Sequence, residues 1–217
     1  MNQHFSTFGA SPGLTVSRLD NGLTVATETI PGVATATLGV WVGAGSRHER
    51  PDEHGLSHLI EHMAFKGTAT RSARKIAEDI ENVGGEINAA TSTESTSYTA
   101  RVLGEDAGVA LDVLGDILTR SVFDAGELAR AKAQLKVSLL TALETPGGRI
   151  ERNARQLLAW GRVIPPQELI AKVDAVEVEH VRAAGRTLLQ GAPTLAAIGP
   201  VKGLPPLPRV AAALQAA

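Results

Sequence analysis

A chain of 217 residues can bury a sizeable core and fits one domain of generous size. Lys+Arg 21 against Asp+Glu 23 leaves a formal net charge of -2, so no broad cationic field exists to hold a nucleic acid or an anionic membrane. Cysteine is absent, which excludes disulfides, thiolate nucleophiles and cysteine-held zinc and leaves His, Asp and Glu to hold any metal.

The opening MNQHFSTFGASPG has neither a basic start nor an apolar centre, and no run of about 18 apolar residues occurs, so a soluble, cytoplasmic protein is expected. The lack of cysteine suits a reducing compartment. LTVSRLDNGLTVATETI alternates apolar and polar residues on both sides of Asp20-Asn21-Gly22, which predicts a β-hairpin, and ATATLGVWVGAGS predicts a third strand. From about Gly55 to Gly67 the period becomes helical, with Leu56, Leu59, Ile60 and Met63 as the apolar stripe. RSARKIAEDIENVGG predicts a second helix ended by Gly84-Gly85, and EINAATSTESTSYTARVL predicts two strands meeting near Thr93-Glu94. Helices follow at Glu105 to Val122, Gly126 to Thr145 and Arg149 to Trp160, the last two parted by Pro146-Gly147-Gly148. Pro165-Pro166 opens a short helix, VEVEHVRAAGRTLLQ makes another, and TLAAIGP reads as a closing strand. The tail from Gly199, with GLPPLP, reads as a loose extension. Local hairpins and segregated helices favour an α+β domain, a mainly antiparallel sheet packed against helices, over 1–200, with 201–217 as a C-terminal extension.

Chemistry concentrates in HGLSHLIEHMAFKGT. His58, Glu61 and His62 stand in the order His-x-x-Glu-His. At about 100° per residue, His58 and His62 share a helix face one turn apart, and Glu61 lies close enough to touch a water on an ion between them. Two imidazoles can ligate zinc while the carboxylate takes the water's proton and returns it to a leaving amine. The bland reading, surface or core histidines with no metal, has weight: chance yields this pattern in such a composition on the order of once in a hundred. His54 lies one turn earlier and reads as sitting just outside the helix, pointing elsewhere. His4 and His48 fall in a terminus and a loop, and His180 reads as a solvated side chain.

The wider context resembles the pitrilysin family of zinc metallopeptidases, peptidase family M16, also called inverzincins. The resemblance runs through LDNGLTVATE, GVWVGAGSRHE, GLSHLIEHMAFKGT, IENVGGEINAATSTESTSYTARVL and ALDVLGDILTRSVFD, in order, from Leu14 to Asp124. It implies His58 and His62 as zinc ligands, Glu61 as catalytic base, and Asn88 and Ala89 on the edge strand along which an extended peptide pairs. Asn88 taken alone reads as an ordinary polar residue on a strand edge.

The family's third ligand is a glutamate on a later helix, with another glutamate two turns before it. Matched to that pattern, Ser138 occupies the ligand position and Ala131 the earlier one. From Glu127 onward the chain resembles instead the end of the non-catalytic second domain of two-domain bacterial members, which puts an internal joint near 124. Glu127, Glu86 and Glu94 are the carboxylates left for a third ligand; Glu127 lies about 16 Å along its helix from Ser138. The resemblance therefore implies either a zinc metalloendopeptidase weakened by a missing ligand, or a non-catalytic subunit that binds peptide or pairs with an active partner. Because family members enclose substrate between two such halves, it also implies a homodimer or a heterodimer with another M16 chain.

Overall fold

In the computed structural model, which describes residues 3–4, 13–50, 53–190 and 192–215, the first hairpin joins β2 (Leu14–Arg18) to β3 (Thr24–Thr29). Its turn follows from two residues: the Asn21 side chain accepts from the Leu23 N–H at 3.2 Å, and Gly22 takes φ +86°, open to glycine without steric cost. Gln3–His4, expected in a loose terminus, form a two-residue strand β1 on Ser17 and Arg18. β4 (Thr35–Val42) leads to α1 (Leu56–Ala64) and α2 (Ala73–Glu81), then β5 (Glu86–Thr91) and β6 (Thr96–Leu103). Helices α3 (Ala107–Thr119), α4 (Ala125–Glu144), α5 (Pro146–Trp160), α6 (Pro166–Ala175) and α7 (Val178–Thr187) precede β7 (Thr194–Gly199) and α8 (Leu207–Ala213).

The sheet order is β1-β2-β3-β7-β4-β6-β5. Every pairing is antiparallel except β3 with β7, since the last strand returns to the middle of the sheet rather than to its edge. β6 alternates by residue, with Thr96, Tyr98, Ala100 and Val102 turned inward, and α3 covers that face through Ala110, Leu111 and Leu114. A second apolar cluster joins Leu56, Leu59, Ile60 and Met63 of α1 to Leu128 and Ala131 of α4 and Val181 of α7. No helix among the described residues is long and apolar enough to cross a membrane.

The tail differs from the loose extension expected. Leu207, Val210 and Leu214 recur at helical spacing, and α8 buries Val210 and Leu214 against α3. The contact is so close that a Cβ on Gly115 would lie 2.5 Å from the Ala213 carbonyl oxygen. Pro208 stands in the first turn of α8, where its missing N–H has no intrahelical role, so the proline run starts a helix instead of preventing one.

A buried carboxylate fixes the loop between α1 and α2. Asp116 of α3 is fully buried and accepts hydrogen bonds from Thr68 (2.7 Å), Thr70 (2.8 Å), Arg71 (2.8 Å) and Arg120 (2.6 Å). Burial alone would raise its pKa, but the bonds from Thr68, Arg71, Thr70 and Arg120 outweigh that and hold it at about 2. A folded-state pKa below the usual 3.8 means that the carboxylate stabilises the fold fully above that value and loses the contribution as pH falls through about 2. Asp116→Ala should cost about 3 kcal/mol in denaturant unfolding, because it leaves Arg71 without its buried partner. Between about pH 5 and pH 2, wild type should lose on the order of 2 kcal/mol more stability than Asp116→Asn. Parallel loss in the two proteins would contradict this role.

Candidate metal centre

Helix α1 begins at an unusual cap. Gly55 takes φ +96°, and no side chain at that position caps the helix. The carboxylate of Glu49 does so instead, accepting from the Gly55 N–H at 2.9 Å and the Ser57 N–H at 2.7 Å. A negative charge at a helix N-terminus meets both the orphan donors and the positive end of the helix dipole. The Glu49 side chain is only 4% exposed, so the start of α1 is held from within the protein. His54 lies outside the helix, buried, with Nδ1 at 3.6 Å from Glu49 and its ring edge-on to Trp160.

From that cap the apolar positions Leu56, Leu59, Ile60 and Met63 turn into the core and leave His58 exposed and Glu61 and His62 half-buried. Burial lowers the pKa of His62, helped by the Lys66 and His58 charges and opposed by Glu61 and Glu127. Its imidazole is thus biased toward the neutral form a metal requires. Tyr98 of β6 lies fully buried, and its hydroxyl has no hydrogen-bond partner among the described residues. Burial, then the Glu61 carboxylate, push its phenol upward, so Glu61 and Tyr98 sense each other across the layer between α1 and the sheet.

β5 packs against α1 and forms the sheet edge. Its register sets Asn88 opposite Thr99 and Ala89 opposite Tyr98. Asn88 is exposed, and its Oδ1 accepts from the Ala89 N–H at 2.9 Å. That donor is covered by a side chain rather than by a neighbouring strand, which is how an edge is kept from uncontrolled pairing.

The third-ligand candidates do not converge. Ala131 is buried against α1, whereas Ser138 is exposed on α4. Leu135 reaches the neighbourhood of Gly55, so Ser138, about one turn further on, lies past the start of α1. Glu86 pairs with Arg101 (3.2 Å) and Glu94 with Arg47 (2.9 Å). Glu127 is near enough to act electrostatically on His62 but is bonded to Arg130. Among the described residues no three His, Asp or Glu side chains form a group that could hold an ion. His48 and His180 serve local backbone, their Nδ1 atoms accepting from the Gly45 and Glu177 N–H groups.

Glu49 and Asp116 were not legible as site supports, although Asp116 signals itself as the one acid on the apolar face of α3. Glu49 carried no local signal, since it lies six residues before the donor it caps.

Residues 24–154 match the model of the insulinase family, peptidase family M16. The chain belongs to that family. An uncharacterized zinc protease of Bacillus subtilis, YmxG, is 52% identical over 112 residues, 52% of this chain and 27% of that protein. The mitochondrial-processing peptidase subunit beta of Saccharomyces cerevisiae is 50% identical over 121 residues, 56% of this chain and 26% of its own length. The chain thus spans about a quarter of the length of these relatives. Among solved structures, a protease from Helicobacter pylori superposes with a TM-score of 0.78 at 17% identity, covering 94% of this chain and 49% of that one. Pitrilysin superposes with a TM-score of 0.78 at 20% identity, covering 97% and 24%. At those identities the superpositions establish the fold alone, a pitrilysin-like α+β arrangement.

Proposed function

We propose that this M16-family chain is a zinc-dependent metalloendopeptidase for extended peptides, with His58 and His62 holding the ion and Glu61 as general base. The observation that carries the reading is the presentation of His58, Glu61 and His62 on the solvent-facing stripe of α1, which packs beside the free edge strand β5.

Two imidazoles one turn apart would supply two of the three protein ligands that a catalytic zinc takes, with His62 biased toward its neutral form. Zinc, when bound, would supply Lewis-acid polarisation of the scissile carbonyl and a more acidic water. Glu61 would take a proton from the attacking water and deliver it to the leaving amine nitrogen. The Ala89 backbone would align the peptide once the Asn88 side chain moves off its N–H, adding a strand at the sheet edge.

A second reading is favoured by one observation, the exposed Ser138 where a third carboxylate is expected. It is a non-catalytic subunit that holds peptide or pairs with an active partner.

Elemental analysis after zinc loading and dialysis separates the two. The first reading expects about one zinc per chain in wild type, loss of it in His58→Ala and His62→Ala, and its retention in Glu61→Gln. The last variant should hydrolyse an unfolded polypeptide at least ~100-fold more slowly. Zinc-free wild type that still binds peptide would overturn it in favour of the second.

We also propose that the chain pairs with a second copy. The support is an apolar surface on α4 and α5, where Val137, Leu140, Ile150 and Leu158 stand exposed. Light scattering should give about twice 22.6 kDa. A monodisperse 22.6 kDa species would refute pairing.

A further inference from the structure

Beside His58 lies a cavity of about 260 Å³. Helix α5 supplies one wall through Arg152, Arg155 and Trp160, and Thr91 and Thr93, at and just past the end of β5, supply the other. Two of these side chains carry orphaned donors. Arg152 Nε and Trp160 Nε1 have no hydrogen-bond acceptor among the described residues and are closed to solvent, so a ligand reaches them once these side chains shift.

Arg152 makes a single bond, from its Nη2 to the Ile164 carbonyl, and has no carboxylate partner among the described residues. Burial lowers its pKa from the usual value, with no neighbouring acid to offset the loss of water. An arginine stays charged in a protein, and this half-buried guanidinium has no counter-ion among the described residues, so the arrangement favours an anion. The one acid on the cavity wall cannot serve: both Glu49 oxygens are committed to the backbone of Gly55 and Ser57. Gln156 is occupied likewise, accepting from the Ile164 N–H at 2.8 Å. Arg155 pairs with Glu151 at the surface but adds positive charge at the rim.

We propose that this cavity is a carboxylate subsite for the peptide, which it binds by the Arg152 guanidinium and the Trp160 indole N–H. The inference rests on the peptide reading above and extends it to the substrate class. A strand added along β5 runs to Thr91, where the cavity opens between that end of the sheet edge and His58. The carboxylate belongs either to an Asp or Glu side chain or to the peptide's C-terminus. A guanidinium suits the two oxygens of that group, and Trp160, about two turns further along α5, lines the same cavity.

The test uses the full chain carrying Glu61→Gln, so that no probe is cleaved, and fluorescence anisotropy with labelled dodecapeptides. One pair differs by glutamate or glutamine at three central positions, and a second pair by a free or amidated C-terminus. The acidic member of one pair should bind about tenfold more tightly, and which pair does so identifies the source of the carboxylate. Arg152→Gln should abolish that preference while keeping the affinity for the neutral peptide and the zinc content unchanged. Trp160→Phe, which keeps the ring and removes only the N–H, should reduce the preference about threefold. Equal binding of all four peptides by the reference chain, or an undiminished preference in both variants, would overturn the subsite and leave the peptidase reading standing. Failure to bind any peptide would overturn both.

Discussion

Everything at the site depends on how helix α1 is held. Its first turn is capped by the Glu49 carboxylate, and the loop after it is locked onto α3 by Asp116, each carboxylate lying almost wholly out of water. Each charge is stabilised by several donors rather than by one partner, so neither is an isolated ion in the interior. Between these two anchors the helix has little freedom to rotate, and its apolar stripe fixes the remaining angle. His58, Glu61 and His62 are therefore presented beside β5 by constraints that lie outside these three side chains themselves.

Much of this arrangement was legible beforehand because it is local. The Asn21-Gly22 hairpin, the helical period around Leu56 to Met63 and the strands about Thr93-Glu94 each follow from spacings of a few residues, and the His-x-x-Glu-His order places its side chains on one face by helix geometry alone. What could not be read depends on distance along the chain. The insertion of β7 parallel to β3 joins residues nearly the whole chain apart, and no local pattern announces it. The Pro-rich tail misled for a physical reason: proline both breaks helices and starts them, and only the packing of Val210 and Leu214 against α3 decides which.

Sequence and fold divide unevenly along the chain. The sequence relatives match just over half of it, whereas the solved structures superpose on nearly all of it. The α4 helix shows what that division means at a site. Its positions 128, 131 and 135 are Leu, Ala and Leu, well chosen to pack on α1 and unable to bind an ion. Ser138 then falls beyond the start of α1, exposed. At the first three of these positions α4 packs on α1 through apolar side chains.

The central claim is that the His58 and His62 imidazoles share one zinc ion. X-ray absorption at the zinc edge of the loaded protein tests it most directly, through the outer-shell scattering that imidazole rings produce. Two imidazoles at about 2.0 Å, with oxygen completing the shell and one imidazole lost in His62→Ala, is the result the account predicts. Zinc coordinated by oxygen alone, or an imidazole count unchanged by that substitution, would contradict it.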